Sequence, residues 1–180
     1  MASVIRILGI DPGSVAMGWG VIDCDGPRAS FVAAGTLRPG SHHAGKTAKV
    51  PLGRAEKLAK LMTGLNAVLA QYAPDEAGVE ETFVNANPRD ALVLGQARGI
   101  ALVAPAMAQI PVFEYAANKI KNSVVGRGHA DKTQVQAMVR VLLPSSGIQK
   151  PDAADALAVA LCHAHHREAH ILQEKMRVHG

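Results

Sequence analysis

From Val4 to Ile10 the chain is almost wholly aliphatic and β-branched, and it then breaks at Asp11-Pro12-Gly13; the pattern reads as a central strand leaving its sheet through a tight turn. Two further apolar runs, GWGVID from Gly18 and SFVAAGTL from Ser30, flank a turn containing Asp25, Gly26 and Pro27. They predict a hairpin, so the sheet starts antiparallel. Between Pro39 and Val50 the residues turn to Gly, Ser, His and Lys, which predicts an exposed loop. Pro51 suits a first helical position, and Leu58, Leu61, Met62, Leu65, Val68, Leu69 and Tyr72 recur at steps of three and four, the stripe of an amphipathic helix.

EAGVEETFV, from Glu76, reads as a short strand. Asn87 and Pro88 supply an N-cap and first position for a helix to about Gln109, and IPVFEY is the next strand. A short helix over 116–125 follows, then a helix from Lys132 to Leu143 with Val135, Met138, Val139 and Leu142 inward, then a final helix from Pro151 to roughly His166. The last ten or so residues read as a fraying tail. This succession of strands and helices predicts an α/β fold, with helices packed on a mixed sheet whose first three strands are antiparallel. Residues 1–168 are expected to form one domain and 169–180 a partly disordered tail.

Composition narrows the class. The 180 residues are 48% hydrophobic but only 3% aromatic, so the core must be built from aliphatic side chains and alanine. No run approaches the ~18 apolar residues of a membrane span, and the N-terminus lacks the order of a secretory leader, so a cytoplasmic protein is expected. Cys24 and Cys162 form no CxxC motif and are expected to be reduced. The net charge is +4, and its placement is informative. Between Ala116 and Arg140 lie Lys119, Lys121, Arg127, Lys132 and Arg140 against the single acid Asp131, an excess equal to that of the whole chain. A polyanionic partner would meet this segment.

Three places carry candidate chemistry. Asp11 sits at the carboxyl end of the first strand, the edge where α/β sheets place ligands, although Asp before Pro-Gly is also ordinary turn chemistry. In AGVEETFV either Glu80 or Glu81 falls near a strand end beside it. In PDAADALAVALCHA two acids occupy a helix otherwise nearly all apolar, and their i,i+3 spacing puts Asp152 and Asp155 on one face. Four carboxylates sharing a pocket need a compensating charge, and oxygen-only ligands suit Mg²⁺ or Mn²⁺ rather than zinc. His163 lies too far along the helix from Asp152 to share an ion, so CHAHH reads as an exposed helix end.

The blocks GIDPGS, GWGVI, VEETFV, LGQARG, PVFEYAANKIKNSVVG, ADKTQVQ and DAADALAVALCHAH, in this order from about Ile5 to His165, resemble the RuvC Holliday junction resolvases of the ribonuclease H-like superfamily. The resemblance implies a homodimeric, Mg²⁺-dependent endonuclease that nicks four-way DNA junctions symmetrically and works with the RuvA and RuvB branch-migration proteins. It puts the family's four acidic catalytic and metal positions on Asp11, Glu80, Asp152 and Asp155, favouring Glu80 over Glu81. It further implies two Mg²⁺ ions per site, with Mn²⁺ able to substitute, base stacking by Phe83, and phosphate contacts by Lys121 and Lys132; Arg89 is a further candidate DNA contact from its place just beyond the loop that carries Phe83. Three other readings compete: a YqgF-like nuclease acting on structured RNA, a nucleotide-binding domain of the actin and sugar-kinase type, and a junction-binding module without catalysis. The long helix containing LVLGQARGIALVAPAM is apolar around much of its circumference and is the first candidate for a subunit contact.

Overall fold

The computed structural model describes residues 4–13, 15–44, 48–81, 87–128 and 130–178, with backbone alone at 41–44, 48–51 and 168–178. A five-stranded sheet has the order β3-β2-β1-β6-β7. The first three strands, β1 (Ile5–Asp11), β2 (Met17–Asp25) and β3 (Arg28–Leu37), form an antiparallel meander. On the other side of β1, β6 (Glu76–Glu81) and β7 (Val112–Ala116) add in parallel, each reached through a helix. The sheet is mixed, as the sequence predicts.

Strand alternation sorts the core into two layers. Leu8, Ile10, Ala77 and Val79 face α1 (Arg54–Tyr72) and α2 (Pro88–Met107), and Leu61, Leu65, Val68 and Leu69 of the predicted stripe are buried there. Ile7, Ile22 and Tyr115 face α5 (Pro151–Val178), joined by α3 (Ala117–Val125) and α4 (Lys132–Leu142). α5 lies unusually close to the sheet because Gly9 and Gly20 are paired across β1 and β2, and Gly18 pairs with Asp11. A methyl group on Gly9 would overlap the carbonyl oxygen of Ala156, and one on Gly18 that of Asp152. Both cysteines are buried and free.

The structure corrects several expectations. The segment predicted as a loop contains a small antiparallel hairpin, β4 (Ser41–Ala44) with β5 (Ala48–Pro51), and Pro51 ends that hairpin instead of opening a helix. The helix starts at Arg54 because the extended backbone of Gly53 caps it and the Glu56 carboxylate accepts the Gly53 N–H at 2.8 Å. In α4, Val135 and Val139 are buried, but Leu142 is 38% exposed, and its neighbour Leu143, one residue past the helix, takes the inward position. The final helix runs to Val178, well beyond His166, so a helix occupies most of the predicted tail. Among the described residues three α-helices and one 3-10 turn, Pro144–Ser146, follow β7, and no helix is long and apolar enough to cross a membrane.

Candidate active site

Asp11 and Glu80 come together by register. Ile10 pairs with Val79 in the parallel β1–β6 ladder, which makes Asp11 and Glu80 the next position on each strand. Alternation turns Gly9 and Asp11 toward α5, and Gly78, packed against Val159 and His163, puts Glu80 on that side too. Glu81 faces the other way, so pleat parity selects Glu80. Asp155, one turn into α5, completes a recess of about 320 Å³ lined by these three carboxylates, Lys121 and Lys132, with an apolar wall that includes Ile120 and Val135.

The electrostatics are those of charge held in place without full compensation. Burial, then the neighbouring Glu80 and Asp155 charges, raise the Asp11 carboxyl from 3.8 to about 8, and Lys132 only partly opposes this. Burial and Asp155 also raise Glu80, against a hydrogen bond shared with Asp11 and the charges of Lys132 and Lys121. Lys132 Nζ lies 2.5 Å from Asp155 Oδ2, and Gln136 Nε2 donates to Asp155 Oδ1 at 3.4 Å. The bond to Asp155 keeps the Lys132 ammonium above its ordinary value.

Asp152 does not line the recess. Its Oδ2 meets Arg38 Nη2 at 2.9 Å, at the rim. The structure therefore gathers three of the four predicted acids and leaves the fourth one turn earlier on the same helix. Among the described residues no three His, Cys, Asp or Glu side chains already close around one point. The donor set nevertheless fits a hard divalent cation: it is all oxygen, half-buried, and two of its members are driven toward protonation by burial and by the neighbouring carboxylates. Lys132 and Arg38 occupy the flanks of the two α5 carboxylates, where they supply part of the missing positive charge.

Of the predicted DNA contacts, Lys121 and Lys132 border the recess, and Arg89 is exposed in the first turn of α2, where its N–H is held at 3.0 Å by the Asn87 cap and it does not line the recess. Phe83 lies outside the described residues. His163 overturns the reading of CHAHH as an exposed end: it is fully buried, with Nδ1 2.6 Å from the Tyr115 hydroxyl and Nε2 2.7 Å from Glu76. Arg167 binds the same Glu76 carboxylate at 2.9 Å. These partners give the ring a place in the core. Sequence reading missed Glu76, Tyr115 and Arg38; in Glu76 the period-two spacing to Glu80 was the available signal.

The mixed sheet with helices on both faces is the ribonuclease H-like fold. A family model described as crossover junction endodeoxyribonuclease RuvC matches residues 7–163. A RuvC from Bartonella henselae is 54% identical over 93% of this chain and 94% of its own length. One from Afipia carboxidovorans is 48% identical over 98% of both. Among solved structures, Thermus thermophilus RuvC in complex with Holliday junction substrate superposes with a TM-score of 0.77 at 31% identity, covering 89% of this chain and 93% of that one. The yeast mitochondrial Holliday junction resolvase Ydc2 shares the fold, with a TM-score of 0.62 at 12% identity, over 89% of this chain and 78% of its own. The chain belongs to the RuvC family of crossover junction endodeoxyribonucleases. These matches do not favour the YqgF-like alternative.

Proposed function

We propose that this protein resolves four-way DNA junctions by paired symmetric nicks, hydrolysing phosphodiester bonds to leave 5′-phosphate and 3′-hydroxyl ends. The observation that carries the reading is the meeting of Asp11, Glu80 and Asp155 in one recess bordered by lysines, in a chain whose relatives are crossover junction endodeoxyribonucleases. Asp11, Glu80, Asp152 and Asp155 would hold Mg²⁺, with Mn²⁺ as a substitute. Two such ions, when bound, supply activation of a water and neutralisation of charge on the leaving oxygen. The protein's own part is positional: Asp11 and Glu80 are fixed by adjacent strands, and Asp155 by a helix seated on glycines.

Lys121 and Lys132 draw the phosphate backbone over the recess, Arg89 adds a contact farther along it, and Phe83 stacks on a base near the crossover. Two symmetric nicks require two sites, hence a homodimer. The exposed Leu92, Val103 and Met107 of α2 form an apolar face suited to that contact. RuvA and RuvB are the expected partners, the cytoplasm is the expected location, and residues 1–168 are the nuclease domain.

Asp11→Asn, assayed on a synthetic four-way junction with Mg²⁺, tests this reading. Junction binding is retained and cutting is lost. Cutting at the normal rate would end the metal-dependent account, and an inactive wild-type protein that still binds junctions would favour the non-catalytic module.

A further inference from the structure

Among the described residues, the cations that line the acidic recess are Lys121 and Lys132. Asp11 and Glu80 stand on the central strands β1 and β6, while Lys121 and Lys132 come from α3 and α4, the helices that follow β7 in the chain and pack on α5. The edge of the sheet away from β7 is β3, and the residue that follows its last position is Arg38. Ala34 packs against the α5 side of the sheet, so alternation carries Thr36 and Arg38 to that same face. Arg38 is 60% exposed, and a single nitrogen, Nη2, meets the Asp152 carboxylate.

Two physical points decide what this contact is for. An ion pair this exposed contributes little to stability, so it is easily exchanged. The carboxylate it occupies is also the one member of the acidic set that stands outside the recess. A divalent cation that recruits Asp152 sets a second positive charge against Arg38 on the same carboxylate and weakens the pair, which frees the guanidinium at the mouth of a site that receives polyanionic DNA. Its planar fork matches a phosphate better than an ammonium does.

We propose that Arg38 is a phosphate-binding residue on the β3 flank of the site, held by Asp152 until a divalent cation claims that carboxylate and releases it to grip the DNA backbone opposite Lys121 and Lys132. Cation and DNA then assist one another: the ion frees the arginine, and the arginine's move to a phosphate removes a competitor from the ion's ligand. The inference rests on the metal-dependent reading above.

The test uses full-length wild-type protein, Arg38→Gln and Arg38→Lys, with melting temperatures to verify folding. Mn²⁺ binding is measured by calorimetry without DNA, and binding to a four-way junction with uncleavable linkages at its crossover is measured over a salt series, with and without Mn²⁺. Arg38→Gln is expected to bind Mn²⁺ several-fold more tightly alone. With Mn²⁺ present it binds the junction roughly fivefold more weakly, with a salt slope smaller by about one. Without Mn²⁺ the two proteins bind the junction alike, and Arg38→Lys recovers part of the affinity. Unchanged Mn²⁺ affinity, or an unchanged salt slope in Mn²⁺, overturns the proposal. A wild-type protein that binds no Mn²⁺ at all overturns the metal-dependent reading itself, which separates the two failures.

Discussion

Glu76 and Glu80 lie four residues apart on one strand, point to the same side of the sheet, and face the same helix, yet their surroundings are opposite. At Glu76 burial pushes the carboxyl up, but hydrogen bonds and charge from His163 and Arg167 outweigh it and leave the group below its ordinary value. At Glu80 burial is joined by Asp155, and the lysines do not compensate, so the group is raised. One end of the β6–α5 contact is a finished ion-pair network that fixes the helix to the sheet. The other has the same materials with the cations short in number, and that deficit is what a catalytic cation would fill. Structural and chemical roles are separated here by the count of positive partners, not by the type of residue.

Exchanging the partners is the strongest way to break this contrast. Glu80→Gln is expected to lower junction cleavage by on the order of a hundredfold or more while leaving the melting temperature without metal unchanged or higher. Glu76→Gln is expected to do the reverse. It costs roughly 2 kcal/mol of stability in denaturant unfolding, because His163 and Arg167 lose their anion, while activity per folded molecule is kept. Equal effects of the two substitutions on stability would erase the distinction.

Titration sharpens it, because the two ends respond to pH in opposite senses. Asp11 is raised in the fold, so its contribution to stability is fully present below its unfolded value of 3.8 and is lost as pH rises through about 8. Glu76 is lowered, so its contribution is present above its unfolded value of 4.5 and is lost as pH falls through the folded value. Thermal melts of metal-free protein should therefore decline by several degrees between pH 5 and pH 9. Mg²⁺ or Asp11→Asn should flatten that alkaline limb and leave the acid limb in place, whereas Glu76→Gln should flatten the acid limb alone. The smallest expected effect belongs to Tyr115→Phe, which removes the hydroxyl at His163 Nδ1 and costs about 1 kcal/mol, read as a shift in the denaturant midpoint with cleavage unaltered.

Much of the fold was legible in the sequence because each long element carried its own period: the stripe from Leu58 to Tyr72, the aliphatic run ending at Asp11, and the Asn87-Pro88 start each mark an element that is present. The β4–β5 hairpin was not legible, since strands of four residues carry too few positions to display a period of two. Local chemistry misled at Pro51, where a residue that can start a helix instead ends a strand. In the site, Asp11 and Asp155 were readable because a carboxylate in an apolar context is conspicuous, whereas Glu80 was separated from Glu81 only by the family resemblance. Arg38 was not, because one exposed arginine after a strand resembles any other until the fold brings a carboxylate to it from 114 residues away. His163 was misread for a related reason: its partners Glu76 and Tyr115 come from two other strands, and helix spacing alone says nothing of them.

The glycines under α5 have a further consequence. The gap between the strand-borne acids and the helix-borne acids is set by atoms that are missing, not by any group that reaches across. Gly9→Ala would leave every carboxylate intact, yet it would lift the helix as a rigid rod and widen the distance that an ion must span. In a cleavage assay such a variant would look like the loss of a ligand, although the lesion is a methyl group buried beneath the site and touching none of them.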